Sequence, residues 1–411
     1  MKRTLLLLCS FLASLSTSFG WSMPGHMIVT AIAYCEFSPT EQAQLDTILA
    51  DHFYSQKWDA AYPPGTFELS KPFYRALLAC LYPDEIRDYS KPETFAYWHF
   101  VDYPLDPPNY PLKARPQAEN DVVYGIEQSE KAIETDAPGL DRGKMLSFLL
   151  HLVGDIHQPL HCESTFSDDF TTPDGDKGGN YVYVEAPAQP DLGLKAGKIN
   201  LHAFWDEMFG TGGNPLKFPT PTVILAAVHK AQALKDQIHR DALPELAADT
   251  TPISWSIESR TKAIQDAWLN GQLHYTAEVF PPGEKPAPPP GPAPALPDTY
   301  TTHAHEVADR CIVLAGYRLA DELHRVLHNA NAHGLANGDP NAPHFDPVVD
   351  NPPAPAPDAP AAAPTSIKVW VNTKSGVYWR EGSEYYGQTK QGKYLTEADA
   401  LAQGYHPGHG H

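Results

Sequence analysis

From Trp21 to about His328 the apolar side chains recur at helical spacing, in Ala- and Leu-rich segments near 26–36, 40–53, 70–80, 121–135, 143–158, 201–208, 222–242, 255–275 and 299–328. Periodicity of this kind predicts helices. Period-two signals are few. The clearest runs from Tyr181 to Val184 behind Gly178-Gly179-Asn180 and predicts one arm of a short hairpin. About 300 residues of helix with long connections predict a single large all-α domain. Proline-rich loops break the pattern at 104–116 and 281–297, and the second is rich enough in Pro and Ala to predict an exposed, semi-rigid excursion. From 329 to 366 large apolar residues almost vanish among Asn, Asp, Pro and Ala, which predicts a linker. From 367 to 411 β-branched and aromatic residues return, with turn signals at Lys374-Ser375-Gly376 and Gln391-Gly392. They predict a small β-rich C-terminal accessory module with one short helix at 396–403.

The first twenty residues carry Lys2 and Arg3, an apolar run too short to cross a bilayer, and small residues at Ser18 and Gly20. They predict a secretory signal peptide over 1–20, cleaved after Gly20, and hence a secreted or periplasmic protein that begins at Trp21. No later segment is apolar for long enough to span, so no stable membrane association is expected; a monomer is expected as well. The formal charge is −20, and once Lys2 and Arg3 are gone 28 Lys and Arg stand against 50 Asp and Glu. Such a surface repels polyanions, so a substrate carrying phosphate would need bound cations to attract it locally. Cys35, Cys80, Cys162 and Cys311 remain after cleavage, compatible with up to two disulfides in an oxidising compartment.

The chemistry is densest in Ser147 to His161, SFLLHLVGDIHQPLH, where His151 and Asp155 interrupt an apolar run four residues apart and so share one helix face. Pro159 then ends or bends the helix, which brings His161 back towards the same point. A lone buried His and Asp can simply satisfy each other. The device recurs, however, in NLHAFWDEMF with His202 and Asp206, and two such pairs plus His161 read as metal ligands. Three further segments join them. Trp21-Ser-Met-Pro-Gly-His26 sets a histidine close to a new terminal amine, a competent nitrogen ligand because its pKa lies near 8. Tyr82-Pro-Asp84-Glu85-Ile-Arg87 alone would be a surface ion pair. Tyr97-Trp98-His99-Phe100-Val101-Asp102 alone would hold a satisfied core histidine.

As an ordered set, WxxxGH, PDEIR, WHFVD, HxxxDxHQPLH, GGN, NLHxxWD and the AGYRLA segment at 315–320 resemble the zinc-dependent, single-strand-specific nucleases of the S-one/P-one family, relatives of zinc-dependent bacterial phospholipase C. The resemblance covers Trp21 to about His328. Trp21-Ser22 stands where the family has Trp-Gly, and Tyr82-Pro83 where it has Trp-Ala; neither change removes a ligand. The resemblance implies a multi-helical fold around a cleft with three zinc ions per chain. It places one on Asp84, His99, His151 and Asp155, a second on His161, His202 and Asp206, and a third on the Trp21 amine and carbonyl, His26 and Asp155. It further implies catalytic roles for Asp84, Arg87 and Asp155, and substrate contacts from Arg87, Phe100 and Asp102. The activity implied is endonucleolytic hydrolysis of single-stranded DNA and RNA to 5′-phosphorylated products, together with 3′-nucleotidase activity. His157, two residues from Asp155, lies on another helix face and is left outside the set. A phospholipase C would have HxxxE in place of His202-xxx-Asp206. An idle zinc-binding or adhesion protein would have no physical reason to retain so costly a cluster of imidazoles and carboxylates.

Overall fold

The computed structural model describes residues 20–105, 120–135, 141–170, 174–211, 217–279 and 287–332, and in the C-terminal region 368–374, 377–380, 386–387, 391–396 and 406–407. The predicted signal peptide up to Phe19, most of the first Pro-rich loop, residues 281–286 of the second, the linker from 333 and residues 397–403 of the helix expected at 396–403 lie outside these residues, while Thr396 ends a strand. The chain divides into two compact units, 1–342 and 343–411.

The first unit is helical, as the apolar periodicity predicts. Its helices are α1 (Met23–Tyr34), α2 (Pro39–Ala50), α3 (Ser55–Ala60), α4 (Lys71–Ala79), α5 (Tyr82–Ile86), α6 (Val122–Thr135), α7 (Arg142–Asp155), α8 (Leu201–Asp206), α9 (Pro221–Gln237), α10 (Glu245–Ala248), α11 (Pro252–Lys262) and α12 (Tyr300–Ala332). Several start on a cap followed by proline. Ser38, Thr220 and Thr251 each accept a backbone N–H from the first turn, and a proline at the first helical position has no N–H left to satisfy. α1 is buried along its whole length from Pro24, and α7 buries everything except Arg142 and Lys144, so these two form the centre of the unit. α12 lies across α1 at Gly316, where an added Cβ would stand 2.5 Å from Ile32. α6 packs over α7 and α12.

Strands are short. β1 (Pro104–Leu105) pairs in parallel with β2 (Ser164–Thr165). β3 (Val182–Ala186) pairs antiparallel with β4 (Gly197–Asn200), the predicted hairpin, and on its other edge with β5 (Thr276–Ala277).

Several expectations change. α7 stops at Asp155, and Pro159 opens a separate 3-10 turn, Pro159–Cys162, instead of ending the helix itself. α3, α5 and α10 are too short and polar for periodicity to detect. α11 ends at Lys262 and passes into a π turn over Ala263–Ala267. α12 continues to Ala332, so a linker cannot begin at 329. The described part of the second Pro-rich loop, largely exposed, is also tied to β3: the Glu185 N–H donates to Pro294 O at 2.8 Å and the Leu296 N–H to Glu185 O at 3.0 Å. Lys198 Nζ adds a bond to Gly291 O at 3.0 Å. β5 covers only Val182 and Tyr183 of that side of β3, and the backbone groups left beyond it at Glu185 capture such a segment whatever its composition. The expected disulfides are also absent, all four cysteines being free thiols. Cys80 and Cys162 donate to the carbonyls of Leu77 and Ile156, and burial pushes Cys80 and Cys311 up to about 12.

In the second unit β6 (Lys368–Asn372), β7 (Val377–Arg380), β8 (Lys393–Thr396) and β9 (His406–Pro407) make one sheet in the order β8-β6-β7-β9. Val369, Val371 and Tyr378 are its buried side chains, with Leu395 against them.

Candidate metal centre

Five segments deliver side chains to the end of α7, His26 among them from α1. His151 and Asp155 lie one turn apart on that helix, and both are wholly buried. Asp84 comes from α5, and His99 from a 3-10 turn over Ala96–His99. That turn is laced to the segment after α7: the Val101 N–H donates to His161 O at 2.8 Å, and the Ser164 N–H to Tyr103 O at 2.9 Å. His161 Nδ1 donates back to His99 O at 2.6 Å. His202 and Asp206 ride on α8, which is capped by the Asn200 side chain accepting the Ala203 N–H at 2.7 Å.

The ligand-type atoms fall into three groups, each within 4.8 Å and the first two sharing His151: Asp84, His99 and His151; His26, His151 and Asp155; and His161, His202 and Asp206. Asp155 Oδ2 lies 2.9 Å from His99 Nδ1 and 3.1 Å from His151 Nε2. Those two nitrogens are 3.1 Å apart, and Asp84 Oδ1 lies 3.7 and 3.6 Å from them. Four atoms bound about 2.0–2.1 Å from a common tetrahedral centre stand about 3.3 Å from one another, so this spacing fits a zinc-sized ion. His161 Nε2 and His202 Nε2 are 3.1 Å apart, and the latter is 3.5 Å from Asp206 Oδ2. His26 stacks on His151 at 3.8 Å, with its Nε2 3.4 Å from Asp155 Oδ1.

Ring orientation fits the same purpose. The Nδ1–H of His151, His161 and His202 donates to Cys80 O at 2.8 Å, His99 O at 2.6 Å and Gly178 O at 2.6 Å, leaving each Nε2 towards the centre. Ligating imidazoles are held in this way by a carbonyl on the far nitrogen. The GGN turn thereby acquires a purpose beyond the hairpin. Gly178 has φ +59°, and a Cβ there would lie 2.2 Å from Leu160 O, so only glycine brings its carbonyl under His202. Gln158, which the sequence reading passed over, donates Nε2–H to Asp206 Oδ1 at 2.7 Å. Its place inside HQPLH was the available signal.

The electrostatics call for positive charge. Burial pushes Asp155 up to about 6 against the pull of His151, and burial holds Asp206 well above the usual carboxylate range. Burial and neighbouring positive groups keep His26 and His99 well below the usual histidine value. His151 alone is raised, because Asp155 and Asp84 outweigh its burial. Both ring nitrogens of His26 and Asp155 Oδ1 are buried without a hydrogen-bond partner. Buried polar atoms left in that state are costly, and dications among them would remove the cost.

The other predicted residues border this centre. Arg87 Nη2 pairs with Asp84 Oδ1 at 2.8 Å on a side chain only 5% exposed. Phe100 follows His99 and is half-buried, and Asp102 is partly buried two residues on. Trp21 is buried, with Ser22 tied to Asp206 O at 2.9 Å and Gly210 O at 2.7 Å. Gly20 presses against Asp155, where an added Cβ would fall 1.6 Å from Oδ1. His157 points away: its Nδ1–H donates to Val153 O at 2.7 Å, and Nε2 accepts from Arg318 at 2.8 Å.

Comparison with known proteins places this geometry. Residues 205 long match Endonuclease 1 of Arabidopsis thaliana at 26% identity, covering 47% of this chain and 55% of the plant protein. Nuclease S1 of Aspergillus oryzae matches at 24% over 50% of this chain and 60% of its own length. Endonuclease 3 of Arabidopsis thaliana matches at 29% over 60% of this chain and 75% of its own. The chain thus spans only a little over half of the first two relatives. The family model described as S1/P1 Nuclease matches residues 21–328, which hold all of the groups above, and the chain therefore belongs to the S1/P1 nuclease family.

Proposed function

We propose that the chain is an exported, zinc-dependent phosphodiesterase, an endonuclease that hydrolyses single-stranded DNA and RNA to 5′-phosphorylated products and also removes 3′-phosphates from nucleotides. Residues 21–328 are its nuclease domain, 1–20 its signal peptide and 367–411 an accessory module. The protein works as a monomer, secreted or periplasmic. Among the described residues no helix is long and apolar enough to cross a membrane. The observation that carries the reading is the gathering of three His/Asp groups with metal-ligand spacing at the end of α7, where Asp155 and His151 lie.

Asp84, His99, His151 and Asp155 hold one ion; His161, His202 and Asp206 a second; His26, Asp155 and the Trp21 terminus a third. Bound zinc supplies Lewis acidity and a water acidic enough to attack phosphorus at mild pH. The residues do the rest. Arg87, oriented by Asp84, offers its planar fork to a non-bridging phosphate oxygen, which a lysine would grip less well. Phe100 presents a ring face for base stacking, and Asp102 accepts from exocyclic amines. Stacking contributes on the order of 1–3 kcal/mol for any base, which suits low sequence preference, and a duplex hides the face it needs. The test is hydrolysis by the zinc-loaded chain of heat-denatured DNA, RNA and phosphatidylcholine. Cleavage of the two nucleic acids, abolished by chelation, is expected; cleavage of the lipid alone, or of neither class, would overturn the reading.

A further inference from the structure

The small C-terminal sheet has two unlike faces. Along β6 burial alternates, with Val369 and Val371 inward and Lys368, Trp370 and Asn372 outward. Register aligns Trp370 with Trp379 on β7 and with Tyr394 on β8. The face opposite the core therefore carries a row of three aromatic rings across three adjacent strands. Trp370 and Tyr394 meet edge to face at 4.8 Å, and Tyr386 extends the row beyond Tyr394 at 5.4 Å. The ring of Trp370 rests on Gly392, where an added Cβ would lie 2.4 Å from it. Tyr394 is nonetheless 46% exposed, and Lys368 Nζ sits 4.5 Å over its ring.

Charge selects the occupant. Residues 367–411 contain five Lys and Arg against four Asp and Glu, whereas 21–366 contain 23 against 46. By charge count the module is close to neutral and slightly basic, where residues 21–366 are strongly acidic and repel a polyanion on average. Aromatic faces in a row beside a cation are how sheets hold single strands, with bases stacked on the rings and phosphates on the basic side chains. A neutral polysaccharide would use the rings but not the lysine.

We propose that the outer face of this sheet, with Lys368 and Tyr394 exposed and Trp370 and Trp379 partly buried beside them, binds single-stranded nucleic acid and tethers long substrates to the chain. The partner class rests on the nuclease reading above; the binding surface does not. The test titrates fluorescein-labelled phosphorothioate oligothymidylate, which resists cleavage, with the zinc-loaded full chain. Lys368 and Tyr394 are exposed, so Lys368→Glu and Tyr394→Ala should both fold. Each is expected to weaken binding ~5-fold or more, the loss of one stacked base or its phosphate partner. Lys368→Glu should also flatten the slope of log affinity against log salt by about 0.7, one phosphate contact on a single strand. Unchanged affinity and slope in both variants would overturn the proposal. So would variants that lose retention on insoluble peptidoglycan while keeping full affinity for oligothymidylate. Should the chain cleave no nucleic acid yet show these losses of binding, the nuclease reading falls and this one stands. Cleavage with binding unaffected by either variant gives the reverse.

Discussion

Replacing Asp155 with asparagine should stabilise the metal-free chain at neutral pH while removing most of what zinc adds. Asp155 has no exposed surface, and burial lifts its carboxyl from 3.8 to about 6 even though His151 pulls it down. A raised carboxyl means that the folded state holds the proton more tightly than the unfolded chain does. Between about pH 4 and 6 the folded state therefore binds more protons, so stability falls as pH rises through that window and stays low above it. Two units correspond to roughly 3 kcal/mol. Asparagine keeps the volume and carries no charge, so in chelator at pH 8 the variant should be more stable than the parent by about that amount. At pH 4 the two should nearly coincide. With zinc the order inverts, since a ligand at 1,000 times its Kd adds about 4 kcal/mol per site and Asp155 serves two sites. Urea denaturation at pH 4 and 8, with chelator and with zinc, reads all four states. An Asp155→Asn chain less stable than the parent in chelator at pH 8, or one gaining as much from zinc, would refute the reasoning.

Four other outcomes are expected. Phe100→Ala should weaken nucleotide binding by about 1–3 kcal/mol with zinc content intact; loss of zinc instead would show that Phe100 packs His99 and does not stack bases. Gln158→Met removes the bond to Asp206 and should lower affinity at the His161 group some 10- to 100-fold in chelator competition, and unchanged affinity would count against it. A chain with methionine retained before Trp21 should hold one zinc fewer by metal analysis than one starting at Trp21, because an amide nitrogen replaces the amine; a full complement would exclude the amine as ligand. Deleting 333–411 should leave turnover of dinucleotides unchanged, and a large drop at equal zinc content would place the module in the site.

What could be read from the sequence divides along a physical line. Long helices announce themselves because burial on one face imposes a period, so α1, α7 and α12 were all legible, and residues of types that bind zinc stood out wherever they interrupted such a period, as His151 and Asp155 do. The five-residue α5 imposes no period, although it carries Asp84. The docking of the 287–297 segment was illegible for a related reason: proline-rich composition reports that a stretch cannot form its own ladder, but says nothing of whether β3 offers it partners. Orientation was the least legible of all. Whether a histidine turns Nε2 or Nδ1 to the centre depends on a carbonyl that any residue type could supply, Cys80 for His151 and Gly178 for His202, far away in sequence. Side-chain identity thus predicts which atoms can ligate, and only the backbone path decides which of them do. That is why Gly178, with no side chain, constrains His202 as firmly as any ligand, and why the cluster should not tolerate a Cβ at position 178.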